Sequence, residues 1–278
     1  MGGHTCTRLW LRNACSFSDF TTMFTKAIVR PPGRNYAEGL TTMNLGAPNY
    51  KRALQQHEAY CEALEQCGLT LMRLEPDERY PDSTFVEDTA VLTDRCAILT
   101  RPGAASRVGE VEKIADVVAP FYAELHSIPE PGKLDGGDIC EAEGHFLIGI
   151  SERTNKAGAQ QLTGWLASYG FSSSFIDITG VKDILHLKSG LAYLSDNRLV
   201  VIDALADSNE FRDYDLVRVT AGEEYAANCL LVNDRVLLAA GYPVFEGRMR
   251  ALGYHTIALE MTEFQKMDGG LSCLSLRF

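Results

Sequence analysis

The chain has 278 residues, 46% of them hydrophobic, enough to bury a sizeable core as one large domain or two small ones. Its 26 basic against 37 acidic side chains give a formal net charge of −11, which argues against a nucleic-acid or anionic-membrane partner. No apolar run approaches the ~18–20 residues of a membrane span.

The first twenty residues carry Arg8 and Arg12 among scattered apolar residues and show no signal-peptide pattern. Residues 1–20 read as a poorly ordered N-terminal extension ahead of a single domain over 21–278. The eight cysteines are Cys6, Cys15, Cys61, Cys67, Cys96, Cys140, Cys229 and Cys273. They form no CxxC pair and no metal-finger spacing, so most are expected reduced, buried and small-hydrophobic, in a cytoplasmic protein.

In chain order, residues 25–30 read as a strand. Residues 49–68 read as the clearest helix, with Leu54, Tyr60, Cys61 and Leu64 on its apolar side and a stop at Gly68. Residues 85–92 and 96–100 then form the first of four hairpins, joined through Asp94-Arg95. The others pair 134–140 with 146–150, 185–194 with 199–202, and 226–232 with 236–239, each through Asp, Asn or Gly. Helical spacing recurs between them at 107–119, 155–169 and 243–252. A fifth unit, 271–278, gives one strand and then the chain stops. These units recur every 42–51 residues. Pairing the last strand with residues 25–30 would close a ring of five ββ-α units with no free sheet edge. An open α/β sheet with irregular hairpins is the alternative.

If the units are equivalent, the residues leading into each first strand converge near the axis: Asp82, Glu87 and Asp88, Asp135, His186, Asn228, then Asp268 and Cys273. A thiol, an imidazole and several carboxylates are the set needed for nucleophilic attack on a cationic carbon centre. Carboxylates facing a guanidinium give charge-assisted, bidentate hydrogen bonds. Taken singly, each residue has an ordinary structural explanation: Cys273 as packing, His186 as a core histidine, Asp135-Gly136-Gly137-Asp138 as a turn. The adjacent pair Glu87-Asp88 is harder to dismiss, because two carboxylates interrupting an apolar run are costly unless paired. Phe85 suits packing or stacking on a planar cation, and Met267 packing. Cys273, His186 and a carboxylate match zinc in ligand type, but no local zinc signature is present and no metal is expected.

At these residues the chain resembles the dimethylarginine dimethylaminohydrolases of the guanidine-modifying (pentein) superfamily. The resemblance spans about residues 24–273. It rests on Pro81-Asp82-Ser83-Thr84-Phe85-Val86-Glu87-Asp88, Thr100-Arg101-Pro102-Gly103, Leu134-Asp135-Gly136-Gly137-Asp138, Ser151-Glu152-Arg153-Thr154-Asn155, Leu185-His186-Leu187-Lys188-Ser189 and Gly269 to Cys273. It implies a five-bladed α/β propeller of ββαβ-type repeats, closed by the terminal strands. It implies hydrolysis of asymmetric dimethylarginine or monomethylarginine to citrulline, with no cofactor. Cys273 would be the nucleophile, His186 the general acid and then base, and Asp135 its orienting carboxylate. Asp88 would hold the guanidinium, with Glu87 beside it. Arg107 and Arg153 would bind the substrate α-carboxylate and Asp82 the α-amino group. Leu40, on a mobile loop, and Met267 would line the pocket, with Phe85 and Asp268 in the same shell. Residues 1–20 have no counterpart in the family pattern, and the region before His186, residues 180–184, differs in loop length.

An arginine or agmatine deiminase, or an amidinotransferase, would use the same set. A ring-shaped ribosome-binding factor would lack it, and a redox-sensing thiol protein would oxidise without turnover. A small-molecule substrate is the expected partner, and self-association into a homodimer stays open.

Overall fold

The structure, a computed structural model, describes residues 23–278. The expected extension over 1–20, with Cys6 and Cys15, lies outside the described residues. Among the described residues no helix is long and apolar enough to cross a membrane.

The sheet topology is one motif repeated five times. Strand β1 (Lys26–Val29) runs parallel to β2 (Thr70–Arg73) across helix α1 (Tyr50–Gln66). In the next blade, β3 (Ala90–Leu92) pairs antiparallel with β4 (Ala97–Leu99). β4 then pairs parallel with β5 (Leu125–Ser127) across α2 (Val111–Val118). The same pattern builds β6 (Ile139–Ala142), β7 (His145–Ile150) and β8 (Ser172–Asp177) around α3 (Lys156–Ser168). It recurs in β9 (Leu191–Ser195), β10 (Arg198–Val201) and β11 (Asp215–Arg218). There the crossover has only a 3-10 turn, Asn209–Phe211. Strands β12 (Leu230–Val232), β13 (Arg235–Ala239) and β14 (His255–Leu259) with α4 (Pro243–Ala251) complete the fifth sheet, and a short α5 (Thr262–Gln265) follows.

The ring closes as the hairpin spacing implied. The last strand, β15 (Ser275–Arg277), lies antiparallel on β1, with Ala27 opposite Arg277 and Val29 opposite Ser275. The first and last described strands thus share one blade, and the sheet order β15-β1-β2 matches the hairpin-plus-parallel order of the other four. This is a five-bladed α/β propeller.

Local sequence explains the outer helices. Asn49 and Asn155 cap α1 and α3, their side chains accepting from Arg52 N and Gly158 N. Helix α1 buries Ala53, Tyr60, Cys61 and Leu64, while Leu54 is only half-buried. The parallel third strands escaped the hairpin reading. They form the outer edge of each blade, and β2 and β11 carry exposed residues and little of the apolar alternation that marks a strand.

A second difference matters more for function. The runs read as continuous strands over 85–92, 134–140 and 271–278 each begin as a 3-10 turn: Val86–Thr89, Gly136–Asp138 and Ser272–Leu274. Leu187–Ser189 and Glu224–Ala227 are the equivalent turns in the other blades. A tight turn with i→i+3 bonding sends consecutive side chains about a third of a circle apart, where a strand would alternate them between two faces. The functional residues therefore sit on turns at one end of the five inner strands.

Candidate active site

Leu40, Asp82, Phe85, Asp88, Arg107, Arg153, Leu185, His186, Met267, Asp268 and Cys273 line one small cavity. Residues scattered over more than 230 positions of sequence reach it from four blades and from the loop after β1. Of the expected site residues, Asp135 is fully buried and outside this lining, and Glu87 and Asn228 lie away from it.

Cys273 stands in the middle of the Ser272–Leu274 turn, partly exposed, whereas the other described cysteines, all free, are buried. The Gly270 amide donates to its Sγ at 3.4 Å. Burial pushes the thiol up to about 12, reinforced by the Glu87 and Asp88 carboxylates and opposed by the Gly270 amide and Lys188. His186 precedes the Leu187–Ser189 turn, and its Nε2 bonds Asp135 Oδ2 at 2.9 Å. Desolvation lowers the imidazole, but Asp88, Asp135 and Asp138 outweigh it and raise His186 to about 9. Asp135 is held in turn by the Gly103 amide at 2.7 Å.

Asp88 accepts from the Gly137 amide at 2.8 Å through Oδ1 and from Arg107 Nη1 at 2.6 Å through Oδ2. Although burial opposes ionisation, His186 and Arg107 hold Asp88 down near 2. The ligand atoms of Asp88, Asp135 and His186 lie within 4.8 Å of one another. Cys273 is not in that group. Asp82 accepts from the Leu40 amide at 3.1 and 3.2 Å, which ties the loop after β1 to the cavity rim. Asp268 ties the same loop again, accepting from Thr42 N at 2.5 Å and Thr42 Oγ1 at 2.8 Å. Phe85 packs edge-on against Tyr36 and Phe264, a rigid aromatic wall.

The two arginines differ sharply. Arg107 is buried, with Nε and Nη2 on Glu110, Nη1 on Asp88 and Nη2 on the Phe85 carbonyl. Arg153 reaches the cavity half-buried, and its guanidinium has no hydrogen-bond or ion-pair partner among the described residues. The expected pair of equivalent substrate forks is thus one braced and one open guanidinium. Sequence reading missed Glu110, although an acidic residue three positions after an arginine in helical spacing is a recognisable pairing signal.

Glu87, expected beside Asp88 in the substrate site, faces the other way. Its carboxylate accepts from Lys188 Nζ at 2.6 Å, Ser272 Oγ at 2.8 Å and Arg277 Nη2 at 3.3 Å. Consecutive residues of a 3-10 turn point about a third of a circle apart, so neighbours need not share a face. Asn228 joins this floor, bonding Ser272 and the Lys188 carbonyl. A larger cavity, about 560 Å³, opens beneath it between the inner strands.

Fold and cavity together define a five-bladed α/β propeller whose axis presents a thiol, an ion-paired imidazole and buried carboxylates. No family model matches the chain. It is 46% identical over 257 residues to the N(G),N(G)-dimethylarginine dimethylaminohydrolase of Pseudomonas aeruginosa, covering 92% of this chain and all of that protein. It is 34% identical to the protein of the same name from Streptomyces coelicolor, over 91% of this chain and 96% of that one. A solved structure of a cysteine-to-serine variant of the Pseudomonas aeruginosa enzyme complexed with citrulline superposes with TM-score 0.89, at 45% identity, over 92% of this chain and all of that chain. The N-terminal domain of the cyanobacterial arginine dihydrolase ArgZ superposes with TM-score 0.81 at 18% identity, a likeness of fold alone. This chain belongs to the N(G),N(G)-dimethylarginine dimethylaminohydrolase family.

Proposed function

We propose that this protein hydrolyses N-omega-methylated arginines, releasing citrulline and dimethylamine or methylamine, with Cys273 as nucleophile. The observation that carries the reading is the His186–Asp135 pair at 2.9 Å facing the same cavity as Asp88 and Cys273.

Each step follows from the electrostatics. In the free protein the thiol is neutral, because its pKa is pushed to about 12. A bound guanidinium adds a positive charge against Sγ, favours the thiolate and depresses that pKa. The Cys273 proton passes to solvent, and thiolate attack forms the S–C bond at the central guanidinium carbon. His186, protonated at neutral pH because it is raised to about 9, gives its proton to the departing nitrogen as the C–N bond breaks. The amine leaves and a cationic thiouronium remains on Cys273. Neutral His186 then takes a proton from water, whose oxygen attacks the same carbon, and the C–S bond breaks to give citrulline and free thiol. Asp88 and Asp135 balance positive charge throughout. Arg153 takes the substrate α-carboxylate, Asp82 the α-amino group, and Leu40, Phe85, Met267 and Asp268 shape the walls.

Residues 21–278 act as one catalytic domain in this reading. The free, buried cysteines suit a reducing, cytoplasmic setting.

The test is citrulline release from asymmetric dimethylarginine, monomethylarginine, arginine and agmatine, with Cys273→Ser as control. Citrulline from the methylated substrates, lost in the variant, is the expected result. Product mainly from arginine would make the protein a deiminase. No product from any of them would remove the hydrolase reading.

A further inference from the structure

Asp138 is completely buried, is not among the residues lining the cavity, and has no part in the chemistry above. Its two oxygens reach two separate parts of the site. Oδ1 accepts from the Leu187 amide at 2.9 Å, the residue after His186. Oδ2 accepts from Ser151 Oγ at 2.6 Å. That hydroxyl in turn accepts from the Arg153 and Thr154 amides, both at 3.0 Å, and so folds the loop carrying Arg153. The loop returns to the catalytic carboxylate as well, since Asp135 N donates to Thr154 Oγ1 at 3.1 Å.

We infer that Asp138 is a positioning residue that locks the His186 turn to the Arg153 loop, setting the distance between the proton donor and the group that reads the substrate's α-carboxylate. This rests on the roles proposed above for those two residues. The argument is one of donors and acceptors. Asp138 receives only N–H and O–H donors, which an ionised carboxylate alone satisfies at both oxygens. Ser151 has one proton and spends it on Asp138, leaving its lone pairs for the two amides. An amide side chain at 138 could still accept from Leu187, but its NH₂ would meet a hydroxyl already accepting twice. The Ser151 proton would then be without its acceptor in a buried site. Burial also places Asp138 among the carboxylates that raise His186, together with Asp88 and Asp135.

The test uses Asp138→Asn and Ser151→Ala in the full chain. Steady-state kinetics would be run on asymmetric dimethylarginine and on its decarboxylated counterpart, a dimethylated agmatine. Asp138→Asn should lower kcat tenfold or more on both substrates, because His186 is displaced. It should raise KM about tenfold only on the substrate with a carboxylate. Ser151→Ala should show the KM effect alone, and the double variant should raise KM no further than Asp138→Asn. Equal KM changes on both substrates, or wild-type kinetics in a folded Asp138→Asn, would overturn the inference. Amide hydrogen exchange provides a readout that does not depend on turnover. Exchange at Leu187, Arg153 and Thr154 should accelerate together in Asp138→Asn, and acceleration on one side only would count against the link. If Asp138→Asn does not fold, Ser151→Ala decides the matter. Exchange should then quicken at Arg153 and Thr154 with Leu187 unchanged, and no change at either amide would sink the idea.

Discussion

Arg107 Nη1 donates to Asp88 Oδ2 at 2.6 Å, with both side chains about 5% exposed. A guanidinium so engaged, and shared with Glu110 at 2.8 Å, is a fixed counter-charge before any substrate arrives. It keeps Asp88 ionised in a place where burial alone would protonate it. The open guanidinium is Arg153.

The two arginines should therefore fail differently. Arg107→Met would leave the Asp88 and Glu110 carboxylates buried and unpaired, at a cost of about 3–5 kcal/mol of stability. Arg153→Met should leave the melting temperature within a degree or two. It should instead raise KM roughly 10- to 150-fold for substrates bearing an α-carboxylate, the worth of a charge-assisted contact of about 1.5–3 kcal/mol. Thermal unfolding and kinetics on the pair of variants separate the roles. Equal stability losses would show that Arg153 is braced like Arg107.

His186 links pH to stability as well as to rate. Its folded pKa, about 9, lies above the ordinary value of 6.5. The stabilisation is thus fully present below pH 6.5 and is lost as pH rises through 9. The predicted loss is of the order of 3 kcal/mol at most. The chemical-denaturation midpoint should fall across that window, and His186→Gln should flatten the fall. The same titration should set the alkaline limb of kcat, where the imidazole no longer has a proton to give. A midpoint that is flat from pH 6.5 to 9 in the wild type would contradict the ion pairing described.

Cys273 makes the opposite prediction about reactivity. With its pKa near 12, alkylation by iodoacetamide at pH 7 should be slow and should climb about tenfold per pH unit. Saturating amounts of a guanidinium ligand too short to cover Sγ should speed alkylation at neutral pH, since the added cation favours thiolate. A plateau of fast alkylation near neutrality in the free protein would mean that the thiolate is formed without substrate.

Much of this arrangement was legible in the sequence because it is repeated. Hairpins at regular spacing, and a lone strand at each end, imply a closed ring whether or not any one hairpin is certain. The convergence of Asp88, His186 and Cys273 followed from their equivalent positions in the repeat. Directions of side chains did not follow. A strand reading sends Glu87 and Asp88 to opposite faces by simple alternation, but gives no reason why one should meet Lys188 and the other Arg107. That depends on the 3-10 turn and on partners 101 and 19 residues away. The bracing of Arg107 by Glu110 had an i,i+3 signal that went unread, but the linkage through Asp138 was invisible, because it depends on which hydrogen bonds are left over after the backbone has folded.

Asp268 illustrates a residue whose backbone and side chain are both committed. Its φ of +56° is in the left-handed region, which disfavours ordinary side chains. Its carboxylate holds Thr42 on the loop over the cavity. Asp268→Gly should relieve the backbone while cutting the tether, so stability should change by less than about 1 kcal/mol. Exchange of the Thr42 amide should accelerate and KM should rise a few-fold as the loop opens. An unchanged Thr42 exchange rate would show that the Leu40–Asp82 contacts hold the loop without Asp268.

Gly137 leaves no room for a side chain between His186 and Asp88. A Cβ there would lie 2.8 Å from His186 Cγ and 2.9 Å from both His186 Nδ1 and Asp88 Oδ1. Neither neighbour can retreat, because the imidazole is held by Asp135 and the carboxylate by Arg107 and the Gly137 amide itself. Gly137→Ala must therefore push the imidazole off Asp135 or the turn off Asp88. A misplacement of about 1 Å in a reacting group can cost about 100-fold in rate. The expected result is a fall of two orders of magnitude or more in kcat, with Cys273 still alkylated at the wild-type rate in strong alkali. The control is Gly164→Ala, where an added methyl meets nothing within 4 Å and activity should be kept. Full activity in Gly137→Ala would mean that His186 tolerates a position other than the one bonded to Asp135, and the proposed acid–base role would have to move with it.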